Sequence, residues 1–169
     1  MGSSFWISGF SGRRRPLPPG PEDLDLEEIA HSLGNLCRFT GHCQKFYSVA
    51  EHSVRVSLMV PPEDAMWGLL HDASEAYLGD VSAPLKHHPN MRGYRALEAM
   101  AMSAVIERFN LPWEMPESVH EADKEAGRQE GFVLVTNWGG GIPKEPGPLV
   151  QCWAPEVAKA KFLERFREL

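Results

Sequence analysis

The chain has 169 residues, of which 43% are hydrophobic and 24% charged, and a net charge of −6. That length and apolar share bound one ordinary domain with a buried core, and the acidic balance argues against a nucleic-acid backbone as partner, which takes a basic face. Three cysteines without a Cys-x-x-Cys pair argue against a disulfide framework or a thiolate zinc site.

No apolar run approaches the ~18 residues of a membrane span, and the N-terminal residues lack a signal-peptide core. A cytoplasmic protein without a membrane partner is expected. Residues 1–24, rich in Gly, Pro and Arg, read as an extended arm, with "GRRRP" either in solvent, the favoured reading, or closing over a triphosphate. "DLDLEEIAHSLGN" predicts a short helix, with Asp25 and Glu28 as caps and Gly34 near its end. After the loop "CRFTGHCQKFY", Ser48 and Glu51 predict a capping box for a helix that Pro61 stops. "PPEDAMWGLLHDASEAYLG" predicts one helix running to Gly79. "YRALEAMAMSAVIERF" is strongly helical, and "PESVHEADKEAGRQEGFVLV" predicts another helix with a break at Gly131. "TNWGGGIPKEPGP" reads as a mobile connector, and "APEVAKAKFLERFREL" as a terminal helix. Strand alternation and internal repeats are missing from this pattern, so the expected class is all-α, one domain over 1–169.

Polar residues on the inward faces of these helices are the chemical signal. His52 follows Val49 by three and precedes Val56 by four, which puts it on the apolar face of its helix. His71 and Glu75 are four apart and share a face, with Asp72 about 100° round from His71. Asp123 follows Val119 by four, on the inward side of its own helix. A single buried histidine is ordinarily satisfied by a carbonyl. Two histidines and two aspartates in one small core would be costly unless paired or bound to a cation. A mixed imidazole–carboxylate set suits a divalent ion, and helical bundles build such sites from facing side chains. His42 reads as loop packing, His87, His88 and His120 as solvent-facing, and Cys37 and Cys43 as small apolar residues.

The segments "CRFTGHCQKFYSVAEHS", "LLHDASEAYLGDVSAPLK" and "EAD" resemble the HD-domain phosphohydrolases, closest to bacterial 5′-deoxynucleotidases and phage dATP triphosphohydrolases. The resemblance spans most of Arg38 to Asp123. It implies a compact helical HD-domain bundle with a metal site in its core. His52, His71, Asp72 and Asp123 match the ligands of a divalent ion (Zn, Co, Mn, Fe or Mg). Glu75 matches the residue that handles the proton of the attacking water or the leaving group. Asp80 matches a carboxylate near the substrate, Arg38 an arginine that grips phosphate, and Lys86 a second phosphate contact. Phe39 stands where the deoxynucleotidases carry a Trp beside the sugar. The implied substrate is a small-molecule deoxynucleotide, mono- or triphosphate, and the implied assembly a homo-oligomer. Two other readings stay open: an HD-type phosphodiesterase on a cyclic nucleotide or alarmone, and a non-catalytic nucleotide-binding module.

Overall fold

The helices begin where the sequence offers caps. In the computed structural model, which describes residues 5–144 and 147–169, the Asp25 carboxylate accepts the Glu28 N–H and opens α1 (Leu26–Asn35). The Ser48 hydroxyl accepts the Glu51 N–H in the same way at the head of α2 (Val49–Met59). Each cap satisfies a donor that the first helical turn leaves unpaired. The chain then forms α3 (Ala65–Leu70), α4 (Glu75–Leu78), α5 (Ala83–Lys86), α6 (Arg92–Phe109), α7 (Glu117–Leu134) and α8 (Pro155–Glu168). The fold is mostly helical. No helix among the described residues is long and apolar enough to cross a membrane. The first four residues of the expected arm, and Glu145 and Pro146 of the expected connector, lie outside the described residues.

Helix α2 is the central strut. It is buried continuously from Val49 to Ser57 and packs against α1, α3, α7 and α8. Ile29, Leu33, Leu69, Leu70, Val119 and Phe162 of these helices are buried in one core with its Val49 and Val56. Each such side chain contributes roughly 1.5–3 kcal/mol through burial. Close approach of α3 to α2 depends on Gly68, where a Cβ would fall 2.9 Å from the Ser57 Cα.

Four sequence expectations are corrected. The Ser48–Glu51 box is only half formed, because the Glu51 carboxylate turns away from the cap. It accepts the backbone N–H groups of Gln151 (2.7 Å), Cys152 (3.1 Å) and Trp153 (2.6 Å), and so pins the segment that leads into α8. The helix expected across 61–79 breaks after Leu70. The N–H groups of Ala73, Glu75, Ala76 and Tyr77 bond to carbonyls three residues back, which tightens the chain at His71 and Asp72. Helix α7 runs through Gly131 without a break.

The fourth correction is the arm. Residues Trp6–Ser8 (β1) and Arg14–Pro16 (β2) pair antiparallel as a hairpin. Arg15 is buried, its guanidinium 2.6 Å from Glu28 of α1 and bonded to the Asp23 carbonyl, while the Ser11 hydroxyl also donates to Glu28. Strands of three residues are too short to show alternation, so the hairpin left no periodic signal.

Candidate metal and phosphate site

Two helices and one turn bring the four expected ligands together. His52 comes from α2, His71 and Asp72 from the tight turn after α3, and Asp123 from α7. The Nδ1 of His52 lies 2.9 and 3.1 Å from the two Glu130 oxygens, and the Nδ1 of His71 lies 2.8 Å from the Gly68 carbonyl. Both partners only accept, so both Nδ1 atoms carry hydrogen, and each neutral ring presents a lone pair at Nε2. Those two Nε2 atoms face each other at 3.2 Å. Asp72 Oδ2 lies 3.2 Å from the His71 Nε2 and 3.7 Å from that of His52. Asp123 Oδ1 lies 3.0 and 3.9 Å from the Nε2 of His52 and His71.

Lone pairs converging at such distances repel unless a positive charge sits among them. Atoms that share a cation at about 2.0–2.2 Å are separated by roughly this much. The group His52, His71 and Asp72 could hold a metal ion. Its second-nitrogen partners, a carboxylate and a carbonyl, are those that orient metal-binding imidazoles.

The electrostatics agree. Burial alone would depress the His71 imidazole, but Asp72 and Asp123 outweigh it and push it up to about 9, so a proton takes the place a cation would fill. Burial likewise disfavours the Asp123 charge, yet His52 and His71 hold the carboxyl down at about 2. Asp72 is held below the ordinary carboxylate range against burial by His71, His52 and Arg38.

Above these groups opens a cavity of about 680 Å³. Seven of the nine expected residues line it: Arg38, Phe39, Asp72, Glu75, Asp80, Lys86 and Asp123, with His52 and His71 buried beneath. A second groove of about 820 Å³, beside α7, Lys144, Gly147 and Pro148, holds none of the nine. Arg38 Nη1 lies 3.5 Å from Asp72 and its Nε 3.2 Å from Glu130, but the Nε–H has no aligned acceptor among the described residues. Phe39 and Thr40 follow with φ of 56° and 54°, a left-handed pair that non-glycine residues adopt at a cost.

Glu75 is buried with Oε2 unpartnered and Oε1 3.7 Å from Lys86 Nζ. Burial, then Asp72 and Asp80, raise its carboxyl well above the ordinary range. Asp80 is also raised, by burial and by Asp72 against the pull of Arg38. Burial disfavours the Lys86 charge, but Glu98 at 2.6 Å and Glu75 push it up to about 12.

Several residues of the site escaped the sequence reading. Glu130, fully buried, bonds His52, Tyr47 (2.8 Å) and Arg55, and faces Arg38. Burial disfavours its charge, but His52, Arg38 and Arg55 hold the carboxyl at about 2. The available signal was spacing: Glu130 follows Asp123 by seven on one helical face, and Arg55 follows His52 by three.

Trp138 lies in the expected mobile connector, yet it lines the cavity and meets Phe39 edge to face, with ring centroids 5.7 Å apart. His42 and His87 are exposed and line the cavity; His42 is therefore not packed into its loop as expected. Arg13, Arg14 and Arg15 are not among the lining residues.

No family model matches the chain. It is 38% identical over 131 residues to an uncharacterized protein of Rhodobacter capsulatus, covering 72% of this chain and 66% of that protein. It is also 38% identical over 174 residues to the uncharacterized protein YfdR of Escherichia coli (strain K12), covering 97% of this chain and 95% of YfdR. Identity at that level along nearly both full lengths places the whole architecture in common, and the chain belongs to the family of YfdR.

Proposed function

We propose that this protein is a metal-dependent phosphohydrolase of the HD-domain type, acting on 5′-phosphorylated 2′-deoxynucleosides. One observation carries the reading. Four electron-pair donors, His52 Nε2, His71 Nε2, Asp72 Oδ2 and Asp123 Oδ1, converge beneath a cavity whose lining includes Arg38 and Lys86. Donors that call for a cation, in a cavity also lined by two cationic side chains, suit a phosphate ester.

His52, His71, Asp72 and Asp123 would hold the divalent ion, which when bound neutralises phosphate charge and lowers the pKa of water. Arg38 lines the cavity and offers its guanidinium fork to phosphate oxygens. Lys86 adds a point charge beside Glu75. In the reaction water adds to phosphorus, the P–O bond breaks, and the departing oxygen takes up a proton. Glu75, with a carboxyl raised out of the ordinary range, is suited to take a proton from water and to give one to the leaving oxygen. Asp80 keeps that carboxyl raised and lies where it can orient water. Phe39 favours deoxyribose, because a 2′-hydroxyl against its ring loses a water partner at a cost of ~1–3 kcal/mol.

The test is phosphate, pyrophosphate or triphosphate release from dAMP, dATP, AMP and ATP with Mn, Co, Zn or Mg. Metal-dependent release, faster on the deoxy forms, is expected. No turnover with any metal would refute the activity, and equal rates on ribo and deoxy forms would remove Phe39 as the selector.

A further inference from the structure

The cavity is lined by ionic side chains, among them Asp72, Glu75, Asp80 and Lys86, and by apolar ones, Phe39, Val81, Pro84, Val135 and Trp138. A phosphate satisfies only the ionic groups, so the apolar ones call for a second, apolar part of the ligand.

We propose that Trp138 receives the nucleobase, at the corner it makes with the sugar-facing Phe39, and that it selects by ring area rather than by hydrogen bonding. The inference rests on the nucleotide reading above and adds to it a specificity-determining residue. Three observations carry it. First, the two rings stand at 84° to one another, a corner that meets a flat ligand on its face and on its edge. Second, the groups are graded in space. The Arg38 guanidinium lies 5.7 Å from the Phe39 ring, and that ring 5.7 Å from Trp138. Phosphate, sugar and base follow one another along a nucleotide in comparable steps.

Third, the indole is held rather than loose. A Cβ at Gly131 would fall 2.3 Å from its Cε2, and one at Gly140 2.2 Å from its Cζ2, so the two glycines leave a slot the ring fills. Its Nε1 is buried without a partner, hence the cavity meets ring carbon and not a donor. Stacking of this kind tolerates any base and is worth roughly tenfold to hundredfold in affinity. Purines, with the larger ring system, are favoured over pyrimidines.

The experiment compares wild type, Trp138→Ala and Trp138→Phe on dAMP, dATP, dCMP and base-free 2-deoxyribose 5-phosphate, with metal content and Tm measured for each protein. For Trp138→Ala we expect KM for dAMP or dATP to rise roughly tenfold to hundredfold with kcat within about threefold. The base-free ester should be unaffected, the purine-to-pyrimidine preference should shrink, and Trp138→Phe should recover most of the loss. An equal loss on the base-free ester would reduce Trp138 to a structural prop, and an unchanged KM for dAMP and dATP would remove it from recognition. If wild type hydrolyses none of the four, the hydrolase reading fails, and calorimetric binding of dAMP to the metal-loaded protein decides the corner. Binding weakened in Trp138→Ala and recovered in Trp138→Phe supports it; equal binding, or none, overturns it.

Discussion

Glu130 holds four groups at once: the imidazole of His52, the hydroxyl of Tyr47 and the guanidinium groups of Arg55 and Arg38. Removing one side of such a buried cluster leaves charges unpaired, which costs on the order of 3–5 kcal/mol. Glu130→Ala should lose about that much in urea denaturation, whereas Glu164→Gln, on an exposed stretch of α8, should change stability very little. A loss under about 1 kcal/mol would show that the cluster relaxes freely. Glu75 behaves in the opposite sense. Its carboxyl is raised by burial, Asp72 and Asp80, so the folded chain binds a proton that the unfolded chain releases near pH 4.3. The stability it contributes is therefore present below that pH and is lost as pH rises toward the folded value. With metal chelated, Glu75→Gln should flatten this decline relative to wild type in pH-resolved melting. For the proposed hydrolysis by the metal-loaded protein, the same substitution should cost two to four orders of magnitude in rate while fold and metal are retained. At this scale the sequence spoke through contradiction: His52, His71 and Asp123 stood out as polar residues among apolar ones. Glu130 did not, because a glutamate beside a glutamine on a charged helix looks like a solvated face until α2 covers it.

Helix starts were legible because a cap is local chemistry. Asp25 and Ser48 each need only a donor three residues on. What was not legible depends on partners far along the chain. Glu51 abandons its own cap for N–H groups about a hundred residues away. The hairpin stands on an Arg15–Glu28 ion pair that no periodicity encodes. The break after Leu70 was hidden because "GLLHDASEAYL" keeps a helical pattern across it. That break aims His71 back at the Gly68 carbonyl, while Gly68 itself lets α3 lie on α2. Gly68→Ala therefore has two effects. Overpacking against the Ser57 backbone should cost about 1–3 kcal/mol, and the shift of α3 should draw His71 from His52 and weaken metal binding. A lowered Tm together with a lowered metal affinity is expected; an unchanged affinity would show that the turn adjusts independently of α3.

For the molecule as a whole, the candidate metal site lies where α2, α7 and the turn after α3 meet, so an occupant would stabilise the packing of all three. A ligand at a thousandfold its Kd adds about 4 kcal/mol to a fold that alone binds it. In a domain of this size that corresponds to roughly 10 °C in Tm. Chelation should lower Tm by that order, and Asp123→Ala should bind less metal and show a smaller gap between loaded and chelated forms. An Asp123→Ala protein with full metal content by elemental analysis would take Asp123 out of the ligand set. The shared carboxylate has one more consequence. Because Glu130 faces Arg38 on one side and His52 on the other, the proposed anion grip and the candidate metal site would not be independent. An anion that draws Arg38 away leaves Glu130 to His52 and makes that imidazole a stronger donor. Thermodynamic reciprocity then requires that phosphate tighten metal binding by the same factor by which metal tightens phosphate, and two titrations, run in either order, should close that cycle.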